Sequence, residues 1–311
     1  MAKTFEIPTN HPYYNEFSGY SDLLTAAKYT SSSYKNYMSY VEDFLSWLIN
    51  NNKNYTLKEL PWKDLRDYQT YLSDDRKLKG NTVNQHFCAI KLMMGGVVER
   101  VWNNQAVQNL KYDIYEGAVP IESEVVKILS AAKSRRIMLE IAILAFCGLR
   151  ISELVRLRWE HIRRERGTLY ILPSKNHQDR EVPLPTKILD ELTDYCKSLY
   201  PKQNKTDFIF GGKCKDSSVT TVTIENHLKD ITEFLGWKDR GYTCHSLRRY
   251  FGCSYYLAHP DDLPALATIM GHRCVSSTMV YIRLAASYKA RLADNDRINA
   301  VFGKVEPSWK K

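Results

Sequence analysis

Between Ile137 and Cys147 the chain reads IMLEIAILAFC, apolar at every position but Glu140, and Gly148 closes the run. A stretch this short falls well below the roughly 18 apolar residues that span a bilayer. It is therefore a helix that other elements must surround, ended by a residue suited to the left-handed turn of a helix C-terminus. Everything after it has to wrap this rod, so the C-terminal part of the chain is expected to be a globular domain built on a buried central helix.

The 311 residues, 44% hydrophobic and 25% charged, exceed one ordinary core and suit two domains. Residues 1–30 are rich in Tyr, Ser and Thr without clear periodicity and read as a lead-in. From Tyr34, apolar residues recur at Tyr37, Val41, Phe44, Leu45 and Leu48, one helical face that stops near Asn50 to Asn52. Leu65, Tyr68 and Leu72 mark a second helix. Val83, Phe87, Ile90, Met94 and Val97 mark a third, with Thr82 and Gln85 at capping-box spacing. Residues 31–110 thus predict a small all-helical domain, and 111–121, with Gly117 and Pro120, a linker. In 122–311, Thr168 to Leu172 and Arg180 to Leu184 predict two strands around a polar SKNHQD loop, followed by helical patterns at 186–199, 219–235, 245–258, 262–270 and 276–284. The expected class is mainly α with a small β-sheet, a helical domain followed by an α+β domain.

The net charge is +9, and residues 116–311 hold 31 basic against 23 acidic residues, whereas 1–115 hold 13 against 12. Excess Lys and Arg on one domain favours polyanionic partners. Seven scattered cysteines without CxxC spacing fit reduced thiols in a cytoplasmic protein. No secretory or membrane segment is legible at MAKTFEIPTN or beyond. P-loop, GxGxxG and HExxH spacings are absent from the sequence.

Five segments carry chemistry, and each alone has a plainer reading. In Cys147-Gly148-Leu149-Arg150-Ile151-Ser152-Glu153-Leu154 an Arg follows a helix-ending Gly; it needs an anionic partner if buried, and Glu153 could be that partner. Lys175 sits at the tip of the predicted hairpin, where a solvated lysine is ordinary. His245 and Arg248, at i and i+3, share a helical face. Gly271-His272 places a His in a turn. Tyr281 lies nine residues later among 21 tyrosines.

Together, Arg150 in GLRISEL, Lys175 seven residues before Val182-Pro183-Leu184, His245 and Arg248 in HSLRR, His272 in MGH, and Tyr281 in Thr278-x-x-Tyr281 resemble the tyrosine recombinase (phage integrase) family across about residues 120–290. The likeness is to its simple two-domain, Xer-like form. Two guanidinium forks can clamp the non-bridging oxygens of a phosphate and neutralise growing negative charge, a role that fits Arg150 and Arg248. The resemblance implies further roles: Tyr281 as nucleophile, His245 as proton acceptor, His272 as a phosphate hydrogen bond, Lys175 as general acid and Glu153 as support. It also implies a 3′-phosphotyrosyl intermediate and no metal or other cofactor.

The implied partner is double-stranded DNA at recombination sites, bound by a homotetramer on two sites, at the nucleoid. The segment Ser287 to Phe302 would dock on a neighbouring protomer or pack on its own domain. Lys79, Lys91, Arg180 and Arg249 are candidate DNA contacts, and an additional arm-binding domain is not expected ahead of residue 31. Competing readings are a type IB topoisomerase with the same nucleophile chemistry and a DNA-binding accessory protein that has lost catalysis.

Overall fold

The computed structural model describes residues 9–53, 55–111, 117–172, 179–199, 204–212, 216–272 and 278–288, together with Val301 and Lys304. The chain divides into two compact units, Met1–Ile114 and Tyr115–Lys311.

The first unit is helical. Helix α2 (Ser31–Asn50) starts at Thr30, whose hydroxyl accepts from the Ser33 N–H at 3.1 Å, and buries Met38, Val41, Phe44, Leu45 and Leu48. Helix α3 (Trp62–Thr70) buries Leu65 and Tyr68 and continues as a π-type turn over Tyr71–Asp75 that buries Leu72. Helix α4 (Gly80–Gly96) packs on α2 through Val83, Phe87, Ile90 and Met94. Its N-cap is Lys79 without a side-chain cap, so Thr82 lies inside the first turn and the expected capping box does not form. A second correction concerns the lead-in: residues 14–26 are a helix, α1 (Tyr14–Ala26), which buries Phe17, Tyr20 and Leu24. Those three sit at i, i+3 and i+7, and with Tyr13 they complete the core of this unit. Tyrosine in place of aliphatic residues hid the stripe.

In the second unit, α5 (Glu122–Ser130) leads to α6 (Arg135–Cys147), the apolar rod of the sequence. Ser134 caps it, accepting from the Ile137 N–H at 3.3 Å, and Gly148 ends it at φ +66. A Cβ at Gly148 would strike the Phe251 ring, so conformation and space both require glycine there. After the one-turn α7 (Ile151–Leu154) come β1 (Ile162–Arg163), β2 (Thr168–Ile171) and β3 (Arg180–Pro183), an antiparallel sheet in the order β1-β2-β3 with Leu169 opposite Val182 and Ile171 opposite Arg180. The two-residue β1 was not expected.

Helices α8 (Thr186–Leu199), α9 (Thr221–Phe234), α10 (Cys244–Ala258), α11 (Leu263–Met270) and α12 (Met279–Tyr288) follow. Helix α10 lies along α6 and α12, sharing Phe146–Tyr250 edge contact with the first. The rod is thus covered as its apolarity demands, with Met138 through Cys147 all buried. Of the C-terminal tail, Val301 is fully buried in this unit's core and Lys304 bonds Glu122 at 3.1 Å. Among the described residues no helix is long and apolar enough to cross a membrane.

Candidate active site

The ends of α6 and α11, the starts of α7, α10 and α12, and strand β3 converge. Arg150 precedes α7, where its N–H donates to Glu153 Oε2 at 2.8 Å, a Glu at the third helical position reaching back to the cap. The Arg150 side chain donates from Nη1 to Glu153 Oε1 at 3.1 Å and from Nη2 to the Gly271 carbonyl at 2.9 Å, and is 28% exposed. One end of α7 is thereby tied to the turn that carries His272.

Arg248 projects from the first turns of α10, capped by Thr243, whose hydroxyl accepts from the Ser246 N–H. It is 2% exposed. Nη1 donates to the Gly148 carbonyl at 2.6 Å, and Nη2 donates to the Met270 carbonyl, with His272 Nε2 at 3.4 Å. Helix-ending carbonyls at α6 and α11 thus aim two guanidiniums into one cleft. Burial and neighbouring Arg150 lower the Arg248 pKa to about 10, which leaves it cationic at neutral pH.

His272 follows Gly271, which closes α11 at φ +62. Its Nδ1 meets Thr278 Oγ1 at 2.9 Å, and its ring lies parallel to that of Tyr281, centroids 6.1 Å apart and 5° between planes. Burial, then Arg248, Arg150 and Arg180, push the imidazole down to about 4, so it is neutral at pH 7. Arginine can only donate, so Nε2 accepts and the proton rests on Nδ1, donated to Thr278.

Tyr281, in the first turn of α12, is 3% exposed. Its ring lies on the bare backbone of α10: a Cβ at Gly252 would come within 2.5 Å of Cε1 and 2.7 Å of Cδ1 and Cζ. Burial raises the phenol to about 12, against the pull of Arg248, Arg249 and Arg150. His245, exposed on the first turn of α10, is held near 4, first by desolvation and then by Arg249, Arg248 and Arg150. It is a neutral base at pH 7.

Glu153 anchors the cluster. It is 4% exposed and receives Arg150, while Arg180 grips it with both Nη atoms at 2.9 and 2.8 Å; Arg248 Nη1 lies 3.9 Å away. Burial alone would raise its carboxyl; Arg180 and Arg150 overcome that and hold it at about 2. Among the described residues no group of three or more His, Cys, Asp or Glu is assembled as a metal site.

The structure therefore brings Arg150, Glu153, His245, Arg248, His272 and Tyr281 into one neighbourhood. Lys175 lies outside the described residues, though the strands flanking its loop are in place. The expectation that Arg180 faces DNA is corrected: its side chain is 5% exposed and turned inward because it shares one face of β3 with buried Val182. Arg249 is half-buried, its guanidinium folded over the Gly117 backbone. Lys79 is exposed at the start of α4, and Lys91 bonds Asn104 at 3.1 Å and lies over Trp102. Thr278 and Gly252 had no assigned role in the sequence; a glycine in mid-helix, unfavourable there by about 1 kcal/mol, was the available signal for the second.

Two conserved-domain matches cover most of the chain. Residues 121–287 match the phage integrase family and residues 17–104 the phage integrase N-terminal SAM-like domain. The chain belongs to the phage integrase family. Its class is the tyrosine recombinases, enzymes that cleave and rejoin DNA. It is 26% identical over 279 residues to a tyrosine recombinase of Pseudothermotoga lettingae, covering 88% of this chain and 94% of that one. It is 31% identical over 150 residues to the tyrosine recombinase XerD of Proteus mirabilis, covering 48% and 47%. The fold is similar to that of the XerH site-specific recombinase bound to its difH substrate, with a TM-score of 0.69, 16% identity and 94% and 99% of the two chains covered. A lambda integrase dimer bound to a core site gives a TM-score of 0.67 at 16% identity, with 90% and 97% covered.

Proposed function

We propose that this tyrosine recombinase performs site-specific strand exchange with Tyr281 as the nucleophile and Arg150 and Arg248 as the phosphate clamp. The convergence of a phenol, two guanidiniums and two neutral imidazoles on one cleft, with Tyr281 stacked on His272, is the observation that supports it. The Tyr281 oxygen attacks phosphorus and passes its proton to His245; the P–O5′ bond breaks and Lys175 protonates the departing 5′ oxygen. A 3′-phosphotyrosyl ester and a free 5′ hydroxyl result, and the 5′ hydroxyl of another strand reverses the step. With its pKa near 12, only about one phenol in 10⁵ is ionised at pH 7, so a base at hand matters to the rate.

Arg150, the more exposed of the two arginines, is the natural landing point for a phosphate, and the anion would favour a protonated or Nε2-protonated His272 that donates to it. At 3% exposure Tyr281 has to gain access when DNA enters, by turning outward or by opening of the cleft. The substrate is duplex DNA, and exchange of strands between two sites calls for a tetramer, one active site per strand cut; such work lies at the nucleoid. Lys79 and Arg249 are the proposed backbone contacts. The test is a nicked suicide duplex carrying DNA that flanks the gene. Wild-type protein should become covalently attached, and Tyr281→Phe should bind the same duplex and form no adduct; an adduct with the Phe variant rules Tyr281 out. Relaxation of supercoiled plasmid by a monomer without site preference would instead identify a topoisomerase.

A further inference from the structure

Among the described residues of the cleft, Arg180 donates from Nε and both Nη atoms to protein acceptors. It opens β3, two residues before buried Val182 and five after Lys175 in sequence. Its Nη1 and Nη2 donate to the two oxygens of Glu153 at 2.9 and 2.8 Å, a fork-to-fork pair, and its Nε donates to the Ile269 carbonyl at 2.7 Å. The turn at Gly271 passes directly over it: a Cβ on that glycine would lie 2.9 Å from Cζ and Nη1. One side chain therefore touches strand β3, the start of α7 with Arg150, and the end of α11 that leads to His272.

From this junction we infer that Arg180 is a positioning residue for strand cleavage, aligning Arg150 and His272 through Glu153 and the Gly271 turn. The inference rests on the proposed phosphate-clamp chemistry. Its physical content is rigidity. Glu153 also holds Arg150 by side chain and backbone, so the carboxylate's position sets that of the catalytic guanidinium. Only a planar fork can hold both oxygens and a backbone carbonyl at once; a lysine ammonium restores the charge without the geometry. Because Nε and both Nη atoms already donate to protein acceptors, loss of Arg180 should alter the rate of chemistry and leave affinity for DNA alone.

The experiment compares wild type, Arg180→Lys, Arg180→Met and Tyr281→Phe on the suicide duplex, measuring adduct rate at saturating DNA and, separately, Kd. Arg180→Met should form adduct about 100-fold more slowly, and Arg180→Lys about tenfold more slowly, with Kd within about threefold of wild type. Adding Glu153→Gln to Arg180→Met should slow the reaction by clearly less than the product of the two single effects, since both changes break the Arg180–Glu153 linkage. Wild-type rates in either variant, additive losses, or a defect confined to Kd overturn the inference; the last would make Arg180 a DNA contact. Should Arg180→Met fail to fold, Arg180→Lys carries the test, and failure of both to fold assigns a purely structural role and rejects positioning. Absence of adduct from wild type itself would instead strike at the proposed function.

Discussion

Replacing Glu153 by Gln probes the cluster's electrostatics with almost no change of shape. Glu153 is 4% exposed, and Arg180 and Arg150 hold its carboxyl at about 2, against 4.5 for the free side chain. That difference corresponds to about 3 kcal/mol of stabilisation at neutral pH, at about 1.4 kcal/mol per tenfold change in proton affinity. The amide also presents an NH₂ group to guanidiniums that can only donate, leaving Arg150, Arg180 and buried Arg248 without a counter-charge, so a loss of about 3 to 5 kcal/mol is expected.

The deficit should depend on pH. Because the native carboxyl is harder to protonate than the unfolded one, its contribution is complete above about 4.5 and is lost as pH falls toward about 2. Urea unfolding of the full-length wild type and Glu153→Gln, followed by circular dichroism at pH 7 and at several values down to pH 3, measures the difference. Two units can unfold separately, so the transition that the substitution moves is the one to compare. A gap of about 3 kcal/mol or more at pH 7 that narrows on acidification is expected. An equal gap at every pH, or none at pH 7, would refute the assignment of Glu153 as the cluster's ionised anchor.

Arg150→Ala should slow adduct formation by roughly 100-fold or more, since one preorganised charge contact is worth roughly 3 kcal/mol, while gel-shift affinity changes little by comparison. Cleavage by wild type should lose its base on an acid limb near 4 rather than near 6.5, because His245 is neutral above about 4; His245→Gln should lower the plateau, and an unchanged plateau would remove His245 as the base. Gly252→Val should drive the Tyr281 ring off α10 and suppress adduct formation with the helical circular dichroism retained; full activity would mean that the ring does not rest there during reaction.

Much of this protein is legible in local sequence. The apolar rod at 137–147, the stripes of α2 through α4 and the hairpin strands follow from periodicity, which the chain cannot evade wherever its ends go. The type, order and spacing of Arg150, His245, Arg248, His272 and Tyr281, taken together as a resemblance to the tyrosine recombinases, also named the candidate chemistry. Helix α1 escaped because its buried stripe is partly tyrosine, and β1 because two residues hold no period.

The direction in which each charge points was decided only by tertiary structure. Arg180 and Lys79 are both basic residues beside a turn, yet one is sealed against Glu153 and the other faces solvent. A side chain's partner is whatever the fold brings within about 3 Å, and for Arg180 and Glu153 that neighbour lies 27 residues away; for Arg150 and Gly271 it lies 121 away. Alternation along β3 could announce that Arg180 points inward, but it could not announce a carboxylate waiting there. Local pattern fixes which face a residue occupies, because that depends on backbone geometry over a few residues; the energy of a buried charge depends on long-range contacts that exist only once the chain has closed on itself.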